Sequence, residues 1–363
     1  MHDVDFYIKS FNTKLKILKG EDIPGDMGKL FESFVAEKPK VFQVETTNLC
    51  NMRCSMCPRT NMMKRKIGFI KPELFRKVIG QFEPHSALKR LKWRQFVDLA
   101  ISKSGILATD QDFFNFVISA EALTLHGFGE PLLDPHIAER VAECTARGIP
   151  TYFSCNPMNM TDELCQKLLD AGLCYLKYSM DGLDEATLEK FRGRKMSPQA
   201  IKDRIHKTID MINKGGHSTI VVLTMIQFES NREQCEAFLK EWQDKNVFAY
   251  VKSSHNRWFF DEEVPSDKVS HYMRGYCEYP FMSMTVLYDG TVVPCSLDYD
   301  GIMPMGNVNE QSLEEIWHGE PFRKFREMHA NGTLPRDHFC LTQCDLPVMG
   351  EVYKERRRLR CRP

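Results

Sequence analysis

Three thiols stand within eight residues, Cys50-Asn51-Met52-Arg53-Cys54-Ser55-Met56-Cys57, at spacings of four and three. Such spacing suits a loop wrapped around one compact metal centre, and closely set thiolates select iron–sulfur clusters or zinc. A closed zinc site or a fully ligated cubane takes four protein ligands, and no further Cys or His follows before His85. Read literally, the loop holds a four-iron cluster and leaves one iron open to a ligand that is not protein. A structural zinc loop that borrows a distant fourth Cys is the alternative left open by spacing.

The C-x3-C-x2-C pattern resembles the signature of the radical S-adenosylmethionine (SAM) enzymes. The resemblance implies that Cys50, Cys54 and Cys57 hold a [4Fe-4S] cluster whose open iron is chelated by SAM. It also implies one-electron cleavage of the sulfonium to a 5′-deoxyadenosyl radical that takes a hydrogen atom from substrate. Further stretches match the family. Gly127-Phe128-Gly129-Glu130 resembles its glycine-rich motif, where the backbone and the acid meet the SAM amino group; this assigns Gly127, Gly129 and Glu130. Ser179 and Asp181 fall where the family has ribose-contacting residues, and two residues apart on a strand they would face one side. Arg192 resembles the Arg that pairs with the SAM carboxylate. Met56 takes the position where many relatives carry an aromatic near adenine, a soft apolar substitute.

A second resemblance lies near the C-terminus. Cys277, Gly290 and Cys295 follow C-x12-G-x4-C around an Asp289-Gly290 hairpin turn, and Cys340-x3-Cys344 comes later. This resembles the SPASM/twitch extension of radical SAM enzymes, which implies an auxiliary [4Fe-4S] cluster on Cys277, Cys295, Cys340 and Cys344. Zinc would take the same ligand count. No Cys lies between 295 and 340, so the pattern for a second auxiliary cluster is incomplete; Cys361 is read as a tail thiol.

The elements that must position these residues alternate strand and helix, the pattern of parallel βα units. Strands are expected at 41–44, 122–126, 150–154, 174–180, 219–226 and 248–253, with helices at 71–82, 136–147, 161–171, 198–213 and 232–244. The fold class is therefore α/β: a partial (β/α)6 TIM-type barrel with a small C-terminal β-hairpin plus helix auxiliary-cluster domain. In such barrels chemistry sits at the carboxyl ends of strands, where every cluster above falls. The expected domains are a cap over 1–40, a radical SAM barrel over 41–260 and a SPASM/twitch-like domain over 261–363. An insertion at about 83–120, carrying the basic run Lys89, Arg90, Lys92 and Arg94 around Trp93, would cap the active site. Most basic runs of this kind are solvated.

Thirteen cysteines in 363 residues exceed ordinary use, and the isolated ones (Cys144, Cys155, Cys165, Cys174, Cys235) read as core thiols. Cys155, at the end of the third strand, is expected to face the site, where it could return a hydrogen atom in an epimerisation. Lys177, Lys252, His255, Asn256, Arg257 and Trp258 lie where they could meet an anionic or hydroxyl-rich substrate. Net charge is zero, which argues for neither nucleic acid nor a membrane surface as partner. No apolar run has spanning length and no signal peptide is visible, so a cytoplasmic location is expected. The expected function is a radical SAM oxidation, epimerisation or dehydration of a small carbohydrate-type metabolite, with a flavodoxin or ferredoxin as reductant. Modification of a ribosomal peptide is the second reading; residues 1–40 are too short for a leader-binding domain. A non-catalytic iron–sulfur carrier is the third.

Overall fold

The computed structural model describes residues 1–18, 27–101, 110–243, 245–253, 277–331, 333–335 and 337–342. Two N-terminal helices, α1 (Val4–Leu18) and α2 (Met27–Glu32), precede β1 (Val41–Val44). The cysteine loop follows and leads through a short helix, α3 (Pro58–Asn61), to α4 (Pro72–Ile79). The inserted α5 (Ala87–Phe96) and α6 (Asp110–Glu121) come before β2 (Leu123–Thr124) and α7 (Ile137–Ala146). Then come β3 (Thr151–Cys155), α8 (Asp162–Asp170), β4 (Tyr175–Ser179), α9 (Glu185–Arg192), α10 (Pro198–Gly215), β5 (Ile220–Gln227), α11 (Arg232–Trp242) and β6 (Phe248–Ser253). The C-terminal part holds α12 (Tyr279–Met282), β7 (Met284–Val286), β8 (Thr291–Val293), β9 (Gly306–Asn307), α13 (Leu313–His318), α14 (Glu320–Asn331) and α15 (Phe339–Thr342). None of the described helices is long and apolar enough to cross a membrane.

Among the described residues the strands form one nine-stranded sheet in the order β6-β5-β4-β3-β2-β1-β7-β8-β9. The six expected strands pair in parallel and in sequence order, the singly wound arrangement of a barrel. The C-terminal hairpin is not detached from them. Strand β7 pairs in parallel with β1, and β8 and β9 add antiparallel neighbours. The cysteine loop therefore leaves a strand held on both edges.

Strand alternation divides the side chains between two layers. Leu125, Phe153, Tyr178 and Leu223 pack outward with Val141 of α7, Leu168 of α8, Ile205 of α10 and Phe238 of α11. Tyr152, Tyr175, Val222 and Tyr250 face inward and meet Phe114 and Ile118 of α6. The described part of the insertion thus does not cap the active site. It closes the opposite end of the barrel: Arg94 donates to Glu121 at 2.6 Å, and Glu121 accepts from the hydroxyl of Tyr175, the first residue of β4, at 3.2 Å. Its basic run is used internally: Lys89 pairs with Asp5, and buried Trp93 stacks on Tyr7 at 5.5 Å.

One buried ion pair stitches the loop to both flanks. Both Arg65 Nη atoms donate to the Glu45 carboxylate at 2.8 Å, while Arg65 Nε donates to the Tyr299 carbonyl at 2.9 Å. Removing one partner strands a buried charge, at a cost of about 3–5 kcal/mol. Arg65→Met should therefore lower stability by that amount in reversible denaturation, whereas Arg76→Met, whose pair with Glu143 is exposed, should cost less than about 1 kcal/mol. Equal losses would contradict the account.

Candidate active site

The loop is built from its base upward. Glu45, Thr46, Thr47 and Asn48 are all buried, and their side chains are hydrogen-bonded in place. Thr46 donates to the Leu125 carbonyl at 3.3 Å and Thr47 to the Gly68 carbonyl at 2.8 Å. Asn48 donates to the Lys66 carbonyl and accepts from the Gly68 amide, at 2.8 and 2.9 Å. Polar residues are needed here because the loop has left its sheet ladder and its backbone must be paired locally. Farther along, the Ser55 amide donates to the Phe191 carbonyl at 3.0 Å, and the Asn51 and Asn159 amides exchange hydrogen bonds at 2.8 and 3.1 Å.

Cys50, Cys54 and Cys57 are half-buried at the carboxyl end of β1. Burial pushes all three thiols up, Cys57 to about 12, with Cys54 as the next contributor there. Such thiols become thiolates when a metal supplies positive charge. Among the described residues no three His, Cys, Asp or Glu side chains are drawn onto a single-ion position.

Gly127 and Gly129 are glycines because the loop after β2 lies directly on the cysteine loop. A Cβ at Gly129 would fall 2.1 Å from the Thr47 carbonyl oxygen, and one at Gly127 would fall 2.6 Å from the Glu45 carboxylate. The Glu130 amide completes the contact, donating to the Leu49 carbonyl at 2.7 Å. The Glu130 carboxylate accepts from the amides of Leu132 and Asn156, at 3.1 and 2.9 Å. Burial raises its pKa to about 7 against the pull of those amides.

Arg192 ends α9 and is held against the thiols by Gly193, which takes a left-handed conformation at φ 68° and leaves no room for a side chain against the Arg53 carbonyl. Burial alone would lower its pKa, but Cys54, Asp181 and Glu130 outweigh burial and raise it. Arg192 Nη1 donates to Asp181 at 3.0 Å, and its buried Nε has no partner among the described residues. Met56 packs with Phe191 and Phe228, whose rings stack at 4.0 Å. This apolar shelf beside the thiol loop includes Phe228 just past β5, a residue that sequence reasoning missed because a lone Phe after a strand reads as core.

Two expectations need correction. Asp181 is not on the strand with Ser179; it lies beyond β4 in a left-handed conformation at φ 55°. Its carboxylate is committed to Arg192 and to the Ile226 amide, which donates at 3.0 Å. Cys155 does not share the inner face with Ser154 and Ser179. The alternation of β3 turns it outward beside Tyr178 and Cys165 in the helix layer, where burial holds its thiol well above the ordinary value. Ser179 does face inward, 3.3 Å from the Ser154 hydroxyl. Cys277, Cys295 and Cys340 are half-buried, with the Cys340 thiol 3.8 Å from the Met303 sulfur. Cys344, Cys361, His255, Asn256, Arg257 and Trp258 lie outside the described residues.

Residues 120–241 match the radical SAM superfamily, and residues 277–345 match SPASM, an iron-sulfur cluster-binding domain. The chain carries a radical SAM domain with a SPASM domain C-terminal to it. The radical SAM domain implies a [4Fe-4S] cluster and SAM, and the SPASM domain implies auxiliary iron–sulfur clusters. The cysteine loop lies N-terminal to the matched radical SAM residues. The chain is 22% identical over 349 residues to the tungsten-containing aldehyde ferredoxin oxidoreductase cofactor-modifying protein of Pyrococcus furiosus, covering 85% of this chain and 87% of that one. It is 20% identical over 318 residues to an S-adenosyl-L-methionine-dependent 2-deoxy-scyllo-inosamine dehydrogenase of Niallia circulans, covering 86% and 95%. The structure of Streptococcus suis SuiB bound to precursor peptide SuiA covers 88% of this chain and 72% of its own, with TM-score 0.56 and 14% identity, which is a likeness of fold.

The residues present fit the implied groups. A buried guanidinium with a spare donor suits a carboxylate ligand, and three half-buried thiols suit a polycationic centre. The close approach at Gly129 can be tested directly. Gly129→Ala should destabilise the protein by about 1–3 kcal/mol through overpacking and lower the iron retained per chain after anaerobic reconstitution. Gly148→Ala is the control: its φ of 68° makes the substitution strained, unlike Gly129, but nothing lies within 4 Å of the added carbon, so iron content should not change. Normal iron loading in Gly129→Ala would refute the packing argument.

Proposed function

We propose that this chain is an enzyme that dehydrogenates a small hydroxyl-bearing metabolite inside the barrel. The observation that carries the reading is a polar inner face directly below the thiol loop. Ser154 and Ser179 point into it, with Lys177 beneath them and the buried Thr224 hydroxyl alongside. A face serving only as core would be apolar there. When bound, the clusters and SAM supply one-electron reduction and hydrogen-atom abstraction, chemistry that amino-acid side chains do not provide.

The chain's own residues bind and orient. Cys50, Cys54 and Cys57 hold the SAM-binding cluster. Arg192, oriented by Asp181, would hold the SAM carboxylate, and Glu130, which pins the loops after β2 and β3 together, would meet the amino group. Met56, Phe191 and Phe228 give the adenine an apolar shelf, and Ser179 meets the ribose. Cys277, Cys295, Cys340 and Cys344 hold one auxiliary cluster as an electron acceptor. A flavodoxin- or ferredoxin-class protein supplies reducing electrons. The dehydrogenation class draws support from the name of the Niallia circulans relative. A small substrate draws support from α6, whose Phe114 closes the floor of the barrel.

The test is 5′-deoxyadenosine formation by anaerobically reconstituted protein given SAM, a strong reductant and a panel of polyols, aminocyclitols, sugar acids and sugar phosphates. The native protein should form the nucleoside, and the Cys50/Cys54/Cys57→Ala variant should form none. Arg192→Met should weaken SAM binding about tenfold or more, since a charge-assisted pair is lost. A reducible cluster that never yields nucleoside would instead favour an iron–sulfur carrier.

A further inference from the structure

Lys177 is the middle residue of β4 and faces the barrel interior, in register with Ser154 of β3 and Val222 of β5. Its ammonium nitrogen lies 4.9 Å from the Phe114 ring centre, 5.6 Å from that of Tyr152 and 5.9 Å from that of Tyr250. It also donates to the Tyr250 hydroxyl at 3.4 Å. Ring faces attract a cation but do not neutralise it. The acid whose charge reaches Lys177 is Asp181, and that carboxylate is already bound by Arg192. Among the described residues the other titratable groups facing it are His126, Tyr152, Tyr250 and Lys252, none of which is an acid at neutral pH. A lysine buried with no carboxylate partner among the described residues is unusual, because the desolvation cost is left uncompensated.

The inward rows at and above Lys177 are polar, and they lie between a closed floor and a partly exposed rim. The floor is closed: Phe114, Tyr152, Val222 and Tyr250 are all buried. The upper rows are accessible, with Ser154 and Ser179 half-buried and Lys252 exposed. The Thr224 hydroxyl, beside Ser179 in register, is buried and has no partner among the described residues.

We propose that this pit is an oxyanion subsite, and that the substrate carries a carboxylate or a phosphate that docks on Lys177 with the hydroxyls of Ser154 and Thr224 beside it. The proposal rests on the barrel interior being the substrate site. Burial, then Lys252, bring the Lys177 ammonium down to about 7, so near neutrality it is part neutral in the free protein. A docked anion favours the charged form and raises that value. Binding above neutrality therefore takes up a proton, and affinity falls as pH rises. His126, held down to about 3 by burial and then by Lys177 and Lys252, stays neutral and takes no part in the uptake.

The test is anaerobic titration calorimetry on the reconstituted holoprotein at about pH 8, in two buffers of different ionisation heat. The probes are gluconate, a hexose phosphate and inorganic phosphate, with glucose as the neutral control; gluconate against the hexose phosphate separates carboxylate from phosphate recognition. At least one charged hexose should bind about tenfold or more tighter than glucose, with proton uptake. Lys177→Met should lose both the preference and the uptake. Lys177→Arg should keep the preference and lose the uptake, because a guanidinium does not titrate there. Near-ultraviolet circular dichroism checks that both variants fold, and if the Met variant does not, the uptake lost in the Arg variant decides. Glucose binding as tightly as the charged probes, no binding of any charged probe, or an unchanged Lys177→Met would overturn the proposal. Charge preference without nucleoside formation would sink the catalytic reading and leave the subsite standing; the reverse result would remove the subsite alone.

Discussion

The Glu45–Arg65 ion pair is the joint on which the site depends. Glu45 is the first residue past β1, so its carboxylate sits where the chain leaves the sheet for the cysteine loop. Arg65 comes back to it from the far side of that loop and closes the loop at its base. The same carboxylate accepts from the Tyr288 amide at 3.3 Å, and Gly127 is a glycine because Glu45 fills the space a side chain would need. Arg65 in turn reaches the Tyr299 carbonyl. A bidentate pair suits this task, since its geometry fixes direction as well as distance. Through two side chains the cysteine loop, the glycine-rich loop and the C-terminal hairpin are held in one relation.

Strand alternation then sorts the barrel's chemistry. Odd and even positions of β3, β4 and β5 go to opposite faces, so Ser154, Lys177, Ser179 and Thr224 share the interior while Cys155 and Tyr178 go to the helices. A one-residue shift of register would exchange these sets and place a nonpolar stripe under the thiols. The inner face is closed from below by α6, whose Phe114 stacks on Tyr250 at 4.9 Å. Closure makes the interior a short pit rather than a channel, and it lowers the effective dielectric around Lys177.

Much of this was legible in the sequence, for local reasons. The six parallel strands were readable because each apolar run is bounded by turn residues. Cys50, Cys54 and Cys57 declare themselves by spacing. What escaped depends on tertiary geometry. Asp181 looked like a strand residue because alternation was extended two positions too far; the chain turns left-handed there, a conformation Asp tolerates better than most residues. Cys155 was placed on the wrong face because the strand's phase is fixed by its neighbours, not by its own five residues. The pairing of β7 with β1 joins residues more than 240 apart, and no local pattern encodes such a contact. The insertion's place below the barrel likewise follows from Arg94 meeting Glu121 and Tyr175, partners that only the fold brings together.

The central claim is that the loop at Cys50, Cys54 and Cys57 presents a cluster with one iron open to SAM. Electron paramagnetic resonance of the anaerobically reconstituted, dithionite-reduced protein tests it most directly, on a variant with Cys277 and Cys295 changed to Ala so that the loop's signal stands alone. The account predicts a reduced [4Fe-4S] spectrum whose g-values shift when SAM is added. A spectrum that SAM leaves unchanged, or a loop that retains zinc and gives no signal, would contradict it.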